Sequence, residues 1–97
     1  MLGVKVRVRV LGILRQAPEG GELPLDFSEA PTVREVMLRL MEASPGLRSL
    51  LWDDAVDSPT PNALILMNGV EVNNLQGLAT AAGDGSEIVV LPVTHGG

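Results

Sequence analysis

The sequence predicts an α+β domain with two layers, in which a mixed sheet of four to five strands packs on one main helix. Valine alternates with lysine or arginine from Val4 to Val10, which is the period-two pattern of a strand with one buried face. A single amphipathic stripe spans 33–41, and continuous apolar runs at 63–67 and 87–91 are typical of strands inside a sheet. One helix with one stripe covers one face of one sheet, which limits the domain to two layers.

The first two strands are expected to occupy different places in the sheet. The basic side chains of the first strand either form a patch for a partner or, as is usual on the wet face of a strand, are only surface charges; they are Lys5, Arg7 and Arg9. Residues 15–22 contain one proline and two glycines and predict a hairpin connection. The second strand, 22–27, contains Pro24, which cannot donate a ladder hydrogen bond, so we expect this strand at a sheet edge.

The main helix begins with a capping box, in which Thr32 and Glu35 exchange hydrogen bonds between side chain and backbone. The helix is expected to end at Ser44-Pro45-Gly46. Its apolar stripe must be buried against the sheet, because a lone amphipathic helix has nowhere else to bury it. The stripe consists of Val33, Val36, Met37, Leu40 and Met41.

The segment 47–61 is less regular than the rest of the chain. Its apolar residues predict a short helical turn that packs on the core; they are Leu47, Leu50, Leu51 and Trp52. Three acids follow in a loop: Asp53, Asp54 and Asp57. They lack the alternating ligands, central glycine and distal glutamate of a calcium loop, so we interpret them as solvated charges and predict no metal site.

The two apolar runs predict strands that are covered on both faces, because neither run alternates with polar residues. The first is 63–67, and the second is 87–91, which we expect in the centre of the sheet. Pro92 ends the second run, since it cannot continue the hydrogen-bonded ladder.

Short connections link these strands. Asn68-Gly69 predicts a tight turn into a short returning strand at 70–72. Residues 73–82 are a connection with one helical turn. Gly83-Asp84-Gly85 lacks the following helix and lysine of a phosphate-binding loop, so it predicts a turn only.

The residue types exclude several functions. The chain has no cysteine, one histidine and no tyrosine. There is consequently no disulfide, iron–sulfur cluster, thiolate zinc site or cysteine nucleophile, and few general bases exist beyond carboxylates. We therefore expect no enzyme activity of its own and no bound cofactor. The lack of cysteine, of a secretory start and of an apolar run of ~20 residues favours a cytoplasmic protein without a membrane span.

Charge is unevenly distributed along the chain. All seven basic residues lie before residue 49, so the first half carries +1 and residues 49–97 carry −6, which together give the net charge of −5. Direct binding of nucleic acid is disfavoured, because phosphate contacts need clustered lysine and arginine. The acidic half predicts a partner with a positive docking surface, although an acidic solvated surface is the commoner explanation.

The last five residues end in Gly96-Gly97. A free Gly97 carboxylate is inert, but an ATP-dependent partner can convert it into an acyl-adenylate that sulfur or amine nucleophiles attack. Glycine suits this use because a residue without Cβ fits a narrow channel and adopts angles closed to other residues. The alternative is a frayed end without chemistry. We expect a folded domain over 1–92 and a flexible tail over 93–97.

Residues 83–97 combine an acidic turn, an apolar strand, a proline and a short Gly-Gly tail. This ending resembles that of the MoaD/ThiS-type sulfur carriers, and residues 4–15, 32–35 and 66–70 are similar to that family as well. Thr94-His95-Gly96-Gly97 is also similar to the ending of the ubiquitin-related modifier. The resemblance implies a ubiquitin-like β-grasp fold whose final strand lies centrally beside the first.

The resemblance further implies a sulfur carrier, the small subunit of molybdopterin synthase. An adenylyltransferase similar to ubiquitin-activating enzymes would use ATP to adenylate Gly97, and a persulfide donor would convert the adenylate to a thiocarboxylate. This group would enter the large subunit of molybdopterin synthase and supply sulfur for the molybdenum cofactor. The tail residues entering that active site would be Val93, Thr94, His95 and Gly96. For His95 a solvent or partner contact is favoured over catalysis, because no nucleophile or orienting acid is near it in sequence.

Two alternatives remain open from the sequence. In the first, the same activation of Gly97 serves a tRNA thiolase or ends in an isopeptide bond to lysines of target proteins. In the second, the chain is a non-covalent β-grasp adaptor whose tail has no chemistry.

Overall fold

The structure, a computed structural model, describes residues 3–11 and 22–92. Five strands are present in this part of the chain: β1 Val4–Val10, β2 Glu22–Phe27, β3 Ala63–Met67, β4 Val70–Glu71 and β5 Glu87–Pro92. Two helices are α1 Val33–Ala43 and α2 Gly46–Leu51. Two 3₁₀ turns, Val72–Asn74 and Gly77–Ala79, lie where the sequence predicts one helical turn. The predicted hairpin connection before Glu22 lies outside the described residues.

The sheet has the strand order β2-β1-β5-β3-β4. β1 and β5 are parallel, and the other neighbouring strands are antiparallel. This arrangement confirms the α+β class, with a mixed sheet, one main helix and the last strand central beside the first. β2 lies at an edge, as Pro24 predicts, with Pro24 opposite Arg7.

The core forms between α1 and one face of the sheet. The capping box is confirmed: the Glu35 N–H donates to Thr32 Oγ1 at 3.2 Å, and the Thr32 N–H donates to Glu35 Oε1 at 2.8 Å. All five residues of the predicted stripe are buried. They face buried side chains from the sheet: Val6, Val8, Val10, Leu25, Ala63, Ile65, Ile88 and Val90.

The short helix α2 extends the core beyond the end of α1. Leu47, Leu51 and Trp52 are buried, as expected, but the prediction for Leu50 is wrong because its side chain is 45% exposed. Leu47 and Leu51 are four residues apart and lie one above the other on the inward face of the helix. A helix of six residues buries little more than one such pair, which leaves Leu50 at the margin.

The loop after α2 is held by a set of contacts that we call the Trp52 clasp, made of Arg34, Trp52 and Asp57. The indole Nε1–H donates to Asp57 Oδ1 at 3.2 Å, and Arg34 donates to Asp57 Oδ2 at 2.8 Å and to its carbonyl oxygen at 3.1 Å. The guanidinium of Arg34 also lies 5.3 Å from the centroid of the indole. The interpretation of this aspartate as an unpaired solvated charge is therefore wrong.

Asp57 adopts a left-handed backbone conformation with φ of 52°, which aspartate tolerates better than most residues. The hydrogen bond from Arg34, followed by that from Trp52, lowers the pKa of the Asp57 carboxyl. Both donors stabilise the ionised form. The neighbouring loop residues Asp53 and Ser58 exchange two backbone hydrogen bonds, which close the turn around Asp57.

The first prediction tests the orientation of α1. Leu40 is 1% exposed, so Leu40→Asp places an unpaired carboxylate under the sheet and should cost more than about 4 kcal/mol, enough to unfold a domain of this size. Leu38→Asp is the matched control, because Leu38 lies on the same helix and is 37% exposed. Circular dichroism should show Leu40→Asp unfolded and Leu38→Asp folded. The reverse result would contradict the described burial.

The second prediction tests the Trp52 clasp by its pH dependence. Because the folded state lowers the pKa of Asp57, its contribution to stability is complete above the unfolded pKa of about 3.9 and is lost as pH falls through the folded pKa. Asp57→Asn should therefore lower the urea midpoint at pH 7, and its difference from the unsubstituted protein should vanish near the acid limit.

The control for this experiment is Asp54→Asn, which removes an ion pair with Arg48 whose aspartate side chain is 81% exposed. Exposed pairs of this kind contribute little, so a smaller change in the urea midpoint is expected. Equal midpoints for Asp57→Asn and the unsubstituted protein at pH 7 would show that the clasp does not stabilise the fold.

Candidate functional site

The predicted tail begins where β5 ends. β5 lies between β1 and β3, so the chain reaches Pro92 from a strand that is hydrogen-bonded on both sides. The residues with predicted functions, Val93, Thr94, His95, Gly96 and Gly97, lie outside the described residues, and their roles stay predictions. What the structure describes is the strand that carries the tail and the surface around its root.

Contacts at the start of β5 hold this strand in register. The Glu87 N–H donates to Asn68 Oδ1 at 2.9 Å, and the Asn68 N–H donates to the Glu87 carbonyl at 2.8 Å. On the other side, the Lys5 N–H donates to Asp84 Oδ1 at 2.8 Å, and the Gly85 N–H donates to the Lys5 carbonyl at 2.8 Å. The two predicted turns thus bind the strand on both sides at the end opposite the tail.

Both turns need left-handed backbone. Asn68 and Gly69 have φ of 52° and 87°, the combination that a two-residue hairpin requires, and Gly85 has φ of 85°. The Asn-Gly pair predicts this hairpin correctly from the sequence. The returning strand is shorter than predicted, because Val72 begins a 3₁₀ turn instead of extending β4.

The face of the sheet opposite α1 carries apolar side chains beside the root of the tail. We call it the open-face patch, and it consists of Leu64 and Leu66 on β3 and Val89 and Leu91 on β5. Leu64 pairs with Leu91, and Leu66 pairs with Val89. Leu64 is 39% exposed and the other three are half-buried. Leu91 directly precedes Pro92, so the patch reaches the root of the tail.

The open-face patch corrects one sequence prediction. The runs 63–67 and 87–91 predict burial on both faces, and the described residues cover only the face toward α1. The sequence signal was present, since a strand with one wet face alternates with polar residues and these runs do not. Contiguous exposed apolar surface of this kind marks interaction sites in proteins. The second apolar face is therefore explained by a surface that another molecule covers.

Basic side chains stand next to the open-face patch on β1. Arg9 pairs in register with Val89, and its guanidinium lies 3.6 Å from the Glu87 carboxylate. Lys5 lies 4.0 Å from Asp26, and Arg7 makes no ion pair with any residue in 3–11 or 22–92. Both pairs are exposed at the surface and contribute little to stability, so these cations are available to a partner.

The charge division seen along the sequence does not persist in space. Arg34 and Arg48 from the first half pair with Asp57 and Asp54 from the second. The surface beside the tail carries the basic row of β1 together with acids, so the expectation of a purely acidic docking surface is wrong there. A partner for this face needs an apolar centre flanked by mixed charges.

Within the described ranges, no group of three or more histidine, cysteine, aspartate or glutamate side chains is arranged to hold a metal ion. The described part of the chain also contains no helix with the length and hydropathy needed to cross a membrane. What the described surface offers is an apolar docking face at the root of a tail.

Comparison with known proteins identifies the family. The model of the ThiS family matches residues 8–97. The chain belongs to the ThiS family. This confirms the resemblance stated from the sequence and places the chain among the ubiquitin-like sulfur carriers and modifiers, which are small carrier proteins that act with partners.

Individual relatives agree with this assignment. The chain is 39% identical over 66 residues to small archaeal modifier protein 3 of Haloferax volcanii, an alignment that covers 68% of this chain and 70% of the relative. It superimposes on small archaeal modifier protein 1 of Methanosarcina acetivorans with a TM-score of 0.82 and 29% identity, over 100% of both chains.

A third similarity shows the fold alone. The chain matches a protein from the complex of subunits 1 and 2 of molybdopterin-converting factor from Helicobacter pylori, with a TM-score of 0.61 and 24% identity, over 97% of this chain and 100% of the other. These likenesses confirm the ubiquitin-like β-grasp arrangement of the ThiS-family chain.

Proposed function

We propose that this ThiS-family protein is a sulfur carrier whose Gly97 carboxylate is adenylated by an ATP-dependent partner and then converted to a thiocarboxylate. The observation that carries the proposal is the family match, which extends to Gly97. Adenylation gives the carboxylate a good leaving group, AMP, which a persulfide sulfur donor then displaces. The carrier supplies the reacting group and a docking surface, and its partners supply catalysis.

The geometry at the root of the tail supports this role. Five extended residues after Pro92 reach at most about 17 Å, which is enough to enter a partner's active site while the folded domain stays outside. The open-face patch adjoins Leu91, so one partner surface can cover the patch and receive the tail. β5 is held by its two neighbours and by the turns at Asn68 and Gly85, which fixes the direction in which the tail leaves.

For the sulfur acceptor we propose molybdopterin synthase, in which the thiocarboxylate enters the large subunit and supplies sulfur for the molybdenum cofactor. The support is the fold likeness to a protein from the complex of the two molybdopterin-converting factor subunits. An apolar face beside the tail is the feature that such a two-subunit assembly needs, because a buried interface core is more apolar than the rest of a protein surface.

A second candidate function is protein modification, in which the activated Gly97 forms an isopeptide bond with a lysine of a target protein. The observation that favours it is the 39% identity to a relative named as a small archaeal modifier protein. Activation is common to both functions, so the same carrier can serve both. The two functions differ in the nucleophile that attacks the adenylate, sulfur in one and an amine in the other.

The third prediction tests the chemistry of Gly97. Incubation with the cognate activating enzyme and ATP should give a Gly97 acyl-adenylate, and addition of a sulfur donor should replace one carboxylate oxygen by sulfur in the intact mass. Deletion of Gly97 should abolish both products without a change in circular dichroism, because Gly97 lies beyond the last strand. In cells, thiocarboxylate without conjugates would indicate the carrier alone, and isopeptides would indicate modification.

The contrary outcome for this prediction is a Gly97-deleted protein that still complements its null strain. The tail would then have no essential chemistry, and the protein would act as a non-covalent adaptor.

The fourth prediction tests the open-face patch as the docking surface of the activating enzyme. Leu64→Arg places a charge in the centre of the buried interface and should lower the rate of adenylation at least about tenfold, since one unpaired interfacial charge costs on the order of 1–3 kcal/mol. Leu75→Arg is the matched control, because Leu75 is 42% exposed and lies outside the patch. Equal rates for the two variants would show that activation does not use this face.

A further inference from the structure

A groove lies on the helix side of the molecule, between the end of β2 and α1. It has a volume of about 450 Å³ and is lined by Phe27, Glu29, Glu35, Leu38, Arg39 and Glu42, among others. We call it the helix-side groove. A second hollow of about 360 Å³ shares Leu38 and Glu42 with it, so concave surface continues along α1 toward Arg48. Both volumes are in the range of sites that hold a side chain or small ligand.

Apolar surface lines the centre of this groove. Leu38 is 37% exposed although it lies on the main helix, and Phe27 at the end of β2 is only half-buried. The guanidinium of Arg39 lies 4.4 Å from the centroid of the Phe27 ring and orders the wall of the groove. An aliphatic side chain from another molecule would find contacts with Leu38 without a rearrangement of the backbone.

The charges around the groove are mainly negative. Glu29, Glu35 and Glu42 are all exposed, and Glu29 makes no ion pair with any residue that the structure describes. Arg39 is the basic residue among those that line the groove, and it is already in contact with Glu42 at 3.8 Å and with the Asp26 carbonyl at 2.9 Å. The field in the groove therefore favours a cationic ligand.

The edge of the sheet beside the groove is unsuited to pairing with an added strand. Pro24 has no N–H to donate, and the Asp26 carbonyl accepts from Arg39. Strand addition depends on main-chain hydrogen bonds along a free edge. Recognition at this site must therefore use side chains, an apolar one against Leu38 and basic ones against the glutamates.

We propose that the helix-side groove binds a short basic segment of a partner protein, in which one or two leucine-like side chains are flanked by lysine or arginine. The site is rigid before binding, because the capping box fixes the start of α1 and Arg39 joins α1 to β2. Little conformational entropy is then lost on association. α1 and the open-face patch lie on opposite faces of the sheet, so the carrier can hold this segment while its tail is engaged elsewhere.

The test is a titration of the ¹⁵N-labelled full chain with the peptide Lys-Arg-Leu-Leu-Arg-Lys, followed by NMR. Saturable shifts are expected at the amides of 27–31 and 35–42. Leu38→Ser should weaken binding about fivefold or more, the effect of losing about 1 kcal/mol of apolar contact. The control Leu50→Ser removes a leucine that is 45% exposed on α2, outside the groove, and should bind as the unsubstituted chain does.

Charge is tested in the same titration. Glu29→Gln should weaken binding, whereas Glu22→Gln, an exposed acid at the start of β2, should not. The proposal is overturned if binding does not saturate, if a peptide with serine in place of leucine binds equally well, or if the shifts lie at 64–66 and 89–91. None of these measurements involves Gly97, so they fail or succeed independently of the sulfur-carrier function.

Discussion

A sheet has two faces, and this chain has one main helix to cover them. α1 buries five apolar residues against the inner face, and this contact holds the valines of β1 and the inner residues of β3 and β5 in a single core. Nothing in residues 3–11 and 22–92 covers the outer face, where the open-face patch lies. The position of the docking surface thus follows from the number of helices, and the position of the tail follows from the central place of β5.

The fold was predictable from the sequence where the signals are local. The capping box at Thr32, the hairpin turn at Asn68-Gly69 and the edge position of Pro24 depend on backbone chemistry that a few neighbouring residues determine. The period of the apolar residues in α1 likewise states which side is buried. Each of these elements is present in the structure with the expected partners.

The remaining features depend on contacts distant in sequence, which no local pattern states. Asp57 is an unremarkable loop acid until the fold brings Arg34 to its carboxylate and Trp52 beside it. Leu50 belongs to an apolar group in the sequence, but the length of α2 leaves it exposed. The continuous apolar runs correctly indicated two apolar faces on β3 and β5, and the error was to assume that the chain itself covers both. The candidate site was predictable only as the Gly-Gly ending, and the docking face required the strand register.

The central place of β5 also has a mechanical consequence. A partner that draws the tail into a channel pulls along the axis of β5, nearly perpendicular to its ladder hydrogen bonds with β3 and obliquely to those with β1. Those bonds share the load together, whereas a strand pulled sideways from an edge loses them one at a time. The carrier can therefore withstand tension on its reactive end while its body remains folded against the partner.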